Sequence, residues 1–328
     1  MNIRLAPGPH IHTDHDTRDI MMTLIIALLF PSAAGIYFFG TDALWIICVS
    51  VVSAVAAEWV WQKLAKKPVR INDLSAVVTG LILALNLPST VPLWVPAVGS
   101  VFAIIIVKQL FGGIGHNFLN PAIAARAVLL ASWPVLMTTW ALPTRFIGSN
   151  PIAADIATFA TPLASIKNVA GTQNGFFGIT APAYNWSLLD LFIGNIPGTI
   201  GETCKLAILC GLGILLITGV VKWHIPVVFV GTVAVFSWIL GMNPLVAVLS
   251  GGVLFGAVFM ATDYVTNPML VKGRIIFAFG CGIIVCLIRR LGNYPEGVTY
   301  AILIMNIATP LIDKYTKRKI YGEVKENA

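Results

Sequence analysis

Apolar runs on the scale of a bilayer crossing, about 20 residues, recur along the chain between short polar turns, with one long polar interruption near the middle. Ten are predicted to be helices: Met21 to Phe39, Leu44 to Trp61, Asp73 to Leu87, Val91 to Phe111, Ala122 to Trp140, Cys204 to Val221, Ile225 to Leu240, Pro244 to Thr262, Ile275 to Ile288 and Val298 to Leu311. The third, ninth and tenth are short for a full crossing, which predicts broken helices surrounded by protein rather than lipid. The expected fold class is therefore all-α, a polytopic membrane protein with about ten transmembrane helices. Its expected parts are a tail (1–20), a first five-helix half (21–140), a long loop (141–203), a second five-helix half (204–311) and a basic tail (312–328).

Leu74 to Leu81 resembles Leu245 to Gly252, and the form of Gly115-His116-Asn117-Phe118 returns at Leu291-Gly292-Asn293-Tyr294. The first copy starts on one side of the membrane and the second on the other, so the repeat predicts two inverted five-helix halves that meet near the bilayer middle. Channels and secondary transporters share that plan. A flavin-free transporter or channel is accordingly the rival reading.

Composition removes the soluble alternatives. Hydrophobic residues make up 57% of the chain and charged residues 11%, against a usual charged share of about 25%. The net charge of +7 would fit nucleic acid in a soluble protein, but here the basic residues flank apolar runs, so no nucleic acid is expected. No cleavable signal pattern precedes the first span. With the N-terminus cytoplasmic, fifteen basic residues fall inside, among them Arg18, Lys63, Lys66, Lys67, Arg70, Lys108, Lys272, Arg274 and Lys317. Only Arg145, Lys167, Lys205, Arg289 and Arg290 fall outside, and the Arg289-Arg290 pair is the exception, read as capping a helix C-terminus or meeting a partner instead of following the rule. This bias predicts an inner-membrane protein with both termini cytoplasmic and the 141–203 loop on the outer face.

That loop is too long for a mere connection. It carries Asp155-Ile156-Ala157-Thr158-Phe159-Ala160-Thr161-Pro162-Leu163 and closes with Gly194-Asn195-Ile196-Pro197-Gly198-Thr199-Ile200-Gly201-Glu202-Thr203. A Thr hydroxyl is a weak nucleophile at neutral pH, so joining it to phosphate needs an external enzyme and a reachable loop. Ala157 and Ala160 keep the surroundings small, Pro162 stops a helix, and Asp155 and Thr158 offer polar handles. The same residues also read as an ordinary solvated turn. In the glycine-rich run, exposed N–H groups ahead of a helix suit a phosphate or flavin ring, while tight packing with Glu202 complementing the helix dipole explains it equally.

Elsewhere, Asn120 followed by Pro121 is a strong helix start. Arg126, inside a span, either pairs with a carboxylate or flavin or snorkels to the inner face, and Glu58 presents the same choice. His10, His12 and His15 beside Asp14 and Asp16 have ligand-like spacing, but a tail without supporting partners reads as solvated, and no metal is expected. Cys48, Cys204, Cys210, Cys281 and Cys286 form no C-x-x-C and read as small apolar fillers.

The D-x-x-T-x-A-T-P-L run resembles the flavin-attachment sequence of the RnfD and NqrB family of membrane subunits. The Gly112 to Pro121 run and the G-x-x-P-G-x-x-G-E-T run are similar to stretches of the same family. Only residues 1–20 precede the first span, which places the resemblance nearer the RnfD branch than to NqrB-like subunits of Na⁺-translocating NADH:quinone oxidoreductases. The resemblance implies FMN joined through its phosphate to Thr161, with Asp155, Thr158 and Ala160 as the attachment motif and Gly198, Gly201 and Glu202 as support. It also implies a second, noncovalent riboflavin, partnership with the A, B, C, E and G subunits of an Rnf complex, and a flavin transferase for maturation. The implied activity is electron transfer between ferredoxin and NAD coupled to Na⁺ or H⁺ movement, with no complete catalytic centre in this chain alone.

Overall fold

The computed structural model describes residues 16–143, 161, 163, 187–292 and 296–316. Among these, all regular structure is helical apart from one isolated bridge between Pro88 and Thr199. Two long helices open the chain, α1 (Thr17–Phe39) and α2 (Thr41–Leu64), and turn into each other at Gly40, whose φ of +72° suits glycine. Then come α3 (Ser75–Leu85), α4 (Trp94–Phe102) continuing as a π-helical turn (Ala103–Gln109), α5 (Pro121–Ser132) and α6 (Pro134–Thr138). Beyond residue 187 follow α7 (Leu188–Ile193), α8 (Lys205–Ile217), α9 (His224–Ile239) and α10 (Pro244–Leu249). The last elements are α11 (Val253–Phe255), which runs into a second π-helical turn (Gly256–Met260), then α12 (Val271–Leu291) and α13 (Val298–Thr316).

Helices α1, α2 and α12 are each long and apolar enough to cross a membrane, and the chain is a multi-pass membrane protein. Two of the three runs expected to be short are not. The ninth is the 21-residue α12 and the tenth the 19-residue α13, because Lys272, Arg274, Asp313 and Lys314 extend helices of which the apolar pattern reveals only the centres. The third is short as expected, at 11 residues. The fifth and eighth, expected to be continuous, are broken. Trp133, held at φ −131° ahead of Pro134, separates α5 from α6, and Ser250-Gly251-Gly252 separates α10 from α11.

One apolar core joins the two ends of the chain: Leu28 of α1, Leu83 of α3, Ile123 of α5, Ile208 of α8, Phe229 of α9, Phe277 of α12 and Ile302 of α13 are all fully buried within it. Helix α1 packs on α8, α5 on α13 and α9 on α12. Large apolar side chains such as Leu29, Val52, Ile217, Trp238 and Ile307 face outward, as surfaces that meet lipid should.

The short α3 determines where the polar residues gather. Ending a helix inside an apolar interior leaves carbonyls without partners, at a cost of several kcal/mol each by order of magnitude. Asn86 and Leu87 satisfy three of those carbonyls locally, Asn86 Nδ2 donating to Ile82 O, Asn86 N–H to Leu83 O and Leu87 N–H to Ala84 O, and the glycine-rich turn supplies the donors that remain. Ile200 N–H donates to Leu87 O at 3.1 Å and Gly201 N–H to Leu85 O at 2.8 Å.

Candidate cofactor-attachment site and its buried charges

Gly194 ends α7 in a left-handed conformation, with φ +106°, and its N–H returns to Asp190 O. The chain then passes so close to itself that a Cβ on Gly194 would lie 2.8 Å from Cys204 N. This turn carries Glu202 into the protein, where its side chain is almost fully buried.

Arg126 reaches the same place from α5. Asn120 Oδ1 accepts from Ala122 N at 3.1 Å and from Ile123 N at 3.4 Å, starting the helix at Pro121 as expected. Further along that helix the Arg126 guanidinium bridges two acids. Its Nη1 donates to Glu202 Oε1 at 3.0 Å and to Asn86 Oδ1 at 2.9 Å, and its Nη2 donates to Glu296 Oε2 at 2.9 Å. Arg126 is 6% exposed, so of the two expectations the carboxylate pairing holds and snorkelling to the inner face does not. Glu296 Oε1 also accepts from Gly252 N at 2.9 Å, and Gly251 and Gly252 leave space that a side chain would take from both carboxylates.

Two further cations stand behind this group. Lys205 is fully buried, donating to Glu202 O and, at 3.1 Å, to Gly251 O. Arg289 is also buried, donating to Ala247 O and, at 3.2 Å, to Ser250 O. The charge pattern counts Lys205 with the outer segments and leaves the Arg289-Arg290 pair as its exception, and the structure buries both the Lys205 and the Arg289 side chains. Each ends or starts a helix at the edge of an apolar run, where sequence position alone does not distinguish a loop from a protein-lined pocket.

Thr161 is 8% exposed and lines a cavity of about 10 Å³ with Trp140, Gly198, Glu202, Thr203, Gly251 and Glu296. The structure thus brings together Thr161, Gly198 and Glu202 from the expected set. Gly201 is not among the residues lining that cavity; its N–H is given to Leu85 O, and a Cβ added to it would meet Leu85 and Phe255. Asp155, Thr158, Ala160 and the N-terminal His10, His12 and His15 lie outside the described residues. The cavity brings the hydroxyl-bearing Thr161 and Thr203 together with the Glu202 and Glu296 carboxylates, and no cationic side chain among the described residues lines it.

A second buried ion pair, which the sequence does not announce as a pair, lies between α2 and the π-helical turn after α4. Lys108 Nζ donates to Glu58 Oε1 at 2.9 Å and to Oε2 at 3.0 Å, and also to Ser75 Oγ. Gln109 Nε2 donates to Glu58 Oε1 at 2.6 Å. The charge pattern counts Lys108 with the inner segments. Its side chain, 3% exposed, is a buried partner of Glu58. The signal for the pair is Glu58 near one helix end and a lone lysine within an apolar run, both of which need a partner in a low-dielectric interior.

Comparison with known proteins agrees with this architecture. A model of the NQR2, RnfD, RnfE family matches residues 4–322. The chain is 50% identical over 327 residues to the D subunit of the Na⁺-translocating ferredoxin:NAD⁺ oxidoreductase complex of Acetobacterium woodii, covering 99% of this chain and 97% of the relative. It is 40% identical over 327 residues to the D subunit of the proton-translocating ferredoxin:NAD⁺ oxidoreductase complex of Clostridium ljungdahlii, covering 97% and 96%. The D subunit of the ion-translocating oxidoreductase complex of Cronobacter sakazakii is 37% identical over 355 aligned residues, covering 98% and 99%.

Proposed function

The chain belongs to the NQR2, RnfD, RnfE family, and from that premise we propose that it is the flavin-carrying membrane subunit of an Rnf-type complex. That complex couples electron transfer between ferredoxin and NAD to Na⁺ or H⁺ translocation, the activity in the names of two of its relatives. The other Rnf subunits are its partners, and no complete catalytic centre resides in this chain alone.

In this reading Thr161 carries FMN as a phosphate ester, placed there by a flavin transferase. When bound, the flavin supplies a carrier that accepts and passes on electrons. The chain's own residues hold it in place: Thr161 anchors the phosphate, and the turn from Gly194 to Thr203 fixes the wall behind it. The basic-residue bias supports cytoplasmic termini and an outer position for Thr161. The two halves of this reading rest on the resemblance of Leu74 to Leu81 to Leu245 to Gly252. The noncovalent riboflavin belongs to the same reading, without assigned residues.

The observation that carries the proposal is Thr161 itself, followed by Pro162-Leu163 in the attachment run and set beside Gly198 and Glu202. An ester survives denaturation, whereas a flavin held by stacking leaves with the fold. Protein made beside a flavin transferase should give a fluorescent band in a denaturing gel, and Thr161→Ala should insert but give none. A band that persists in Thr161→Ala moves the attachment elsewhere; no band in the wild type favours a flavin-free transporter.

A further inference from the structure

Helix α2 carries a surface groove apart from the Thr161 turn. Val51, Val52, Val55, Ala56 and Trp59 of α2, with Ile71 from the segment beyond it, line a space of about 470 Å³, within the roughly 300–1,000 Å³ of ligand-sized pockets. Every lining residue is apolar or aromatic. From Val51 to Trp59 the groove runs about 12 Å along the helix, close to the ~15 Å depth of hydrocarbon in one leaflet.

The Trp59 end of the groove is basic. Lys63 Nζ stands 4.1 Å from the centroid of the Trp59 ring. The turn that follows carries Lys66, Lys67 and Arg70, and all four cations are exposed. Hydrogen bonds fix this turn: Lys66 N–H donates to Lys63 O at 3.1 Å, Lys67 N–H to Gln62 O at 2.9 Å and Arg70 N–H to Gln62 Oε1 at 2.9 Å. Exposed Leu64 and Val69 lie between the cations, a mixture suited to the boundary between lipid headgroups and hydrocarbon.

We propose that this groove is a seat for an anionic phospholipid, with one acyl chain along Val51 to Trp59 and the headgroup phosphate at the Lys63 ammonium. Charge complementarity selects an anionic headgroup over one with no net charge. The lining selects lipid over a helix of a partner subunit: membrane helices meet through small residues, and of the six residues here only Ala56 is small. The inference is independent of Thr161 and its flavin. The proposed topology decides only that the seat belongs to the inner leaflet.

Brominated phospholipids, which quench a tryptophan that they touch, test this on the full chain in phosphatidylcholine vesicles. The Trp59 signal is the difference between wild type and Trp59→Phe, each referred to the same protein without brominated lipid. Brominated phosphatidylglycerol should quench Trp59 at an about fivefold lower membrane fraction than brominated phosphatidylcholine, the preference that one cation beside an anionic headgroup supplies. That preference should vanish in Lys63→Gln and persist in Lys272→Gln, which removes an exposed lysine of α12. Ala56→Phe, which fills the groove, should weaken quenching by both lipids.

Equal quenching by the two lipids in wild type would make the groove ordinary lipid-facing surface and overturn the proposal. A preference lost equally in Lys272→Gln would overturn it too, since overall surface charge then accounts for the effect. In the assembled complex, a Trp59 that neither lipid quenches would place a partner helix in the groove instead.

Discussion

Arg126 and Glu202 meet at 3.0 Å although 76 residues separate them in sequence. The contact exists because α3 stops early: the turn that satisfies its terminal carbonyl, Leu85 O, is the turn that delivers Glu202 to α5. Removing the cation strands two carboxylates in the interior. Arg126→Met should therefore lose about 3–5 kcal/mol of stability, seen as a lower melting temperature or a reduced yield of inserted protein. Glu202→Gln should cost less, since Arg126 keeps Glu296. Wild-type stability in Arg126→Met would mean that the three-way pair contributes nothing.

Glu58 and Lys108 form a simpler pair, with each partner almost fully buried. Lys108→Met leaves an unpaired carboxylate and should cost about 3–5 kcal/mol. Adding Glu58→Gln removes the stranded charge and should restore part of the loss, because contacting residues are not additive. A double-mutant cycle on thermal stability measures this, and strictly additive losses would show that the two side chains are not coupled.

The proposed topology places Ser187, ahead of α7, on the outer face and Lys66, after α2, on the inner face. Both are exposed. In a cysteine-free background, an impermeant thiol reagent applied to intact cells should label Ser187→Cys and spare Lys66→Cys. The reverse pattern would invert the orientation.

The membrane class, most helix positions and the start at Asn120-Pro121 are legible in the sequence because they depend on residues close together in it. Apolar length shows a span, and a side-chain cap shows where one begins. Partnerships across the fold are not legible. Glu296 lies 170 residues from Arg126, and no local pattern announces that pairing. The burial of Lys108, Lys205 and Arg289 is hidden for a related reason. A charge beside an apolar run reads the same whether its side chain meets solvent or, as here, turns onto a carboxylate or backbone carbonyls inside the protein. The turn from Gly194 to Thr203 stands out by its glycines, but its service to α3 follows only once α3 is known to end at Leu85.

The glycines of that turn separate into two kinds. A Cβ on Gly201 would lie 2.6 Å from Leu85 Cβ and 3.1 Å from Leu85 O, and relief would have to come from the backbone pairing that closes α3. Gly201→Ala should accordingly cost about 1–3 kcal/mol, the range for overpacking, with or without a flavin. At Gly198 the nearest atom to an added Cβ is Thr203 Cγ2, at 3.4 Å, an ordinary contact. Gly198→Ala should then stay within about 0.5 kcal/mol of wild type. Gly198 nevertheless lines the Thr161 cavity, so a bulkier Gly198→Val narrows the space beside the attachment residue. If Gly198 serves the cofactor, Gly198→Val should reduce covalent flavin per inserted chain while Gly198→Ala does not, as read by in-gel fluorescence normalised to protein. Full flavin loading in Gly198→Val would leave Gly198 as part of the turn alone, and a stable Gly201→Ala would show that the seam between α3 and the turn is looser than its hydrogen bonds imply.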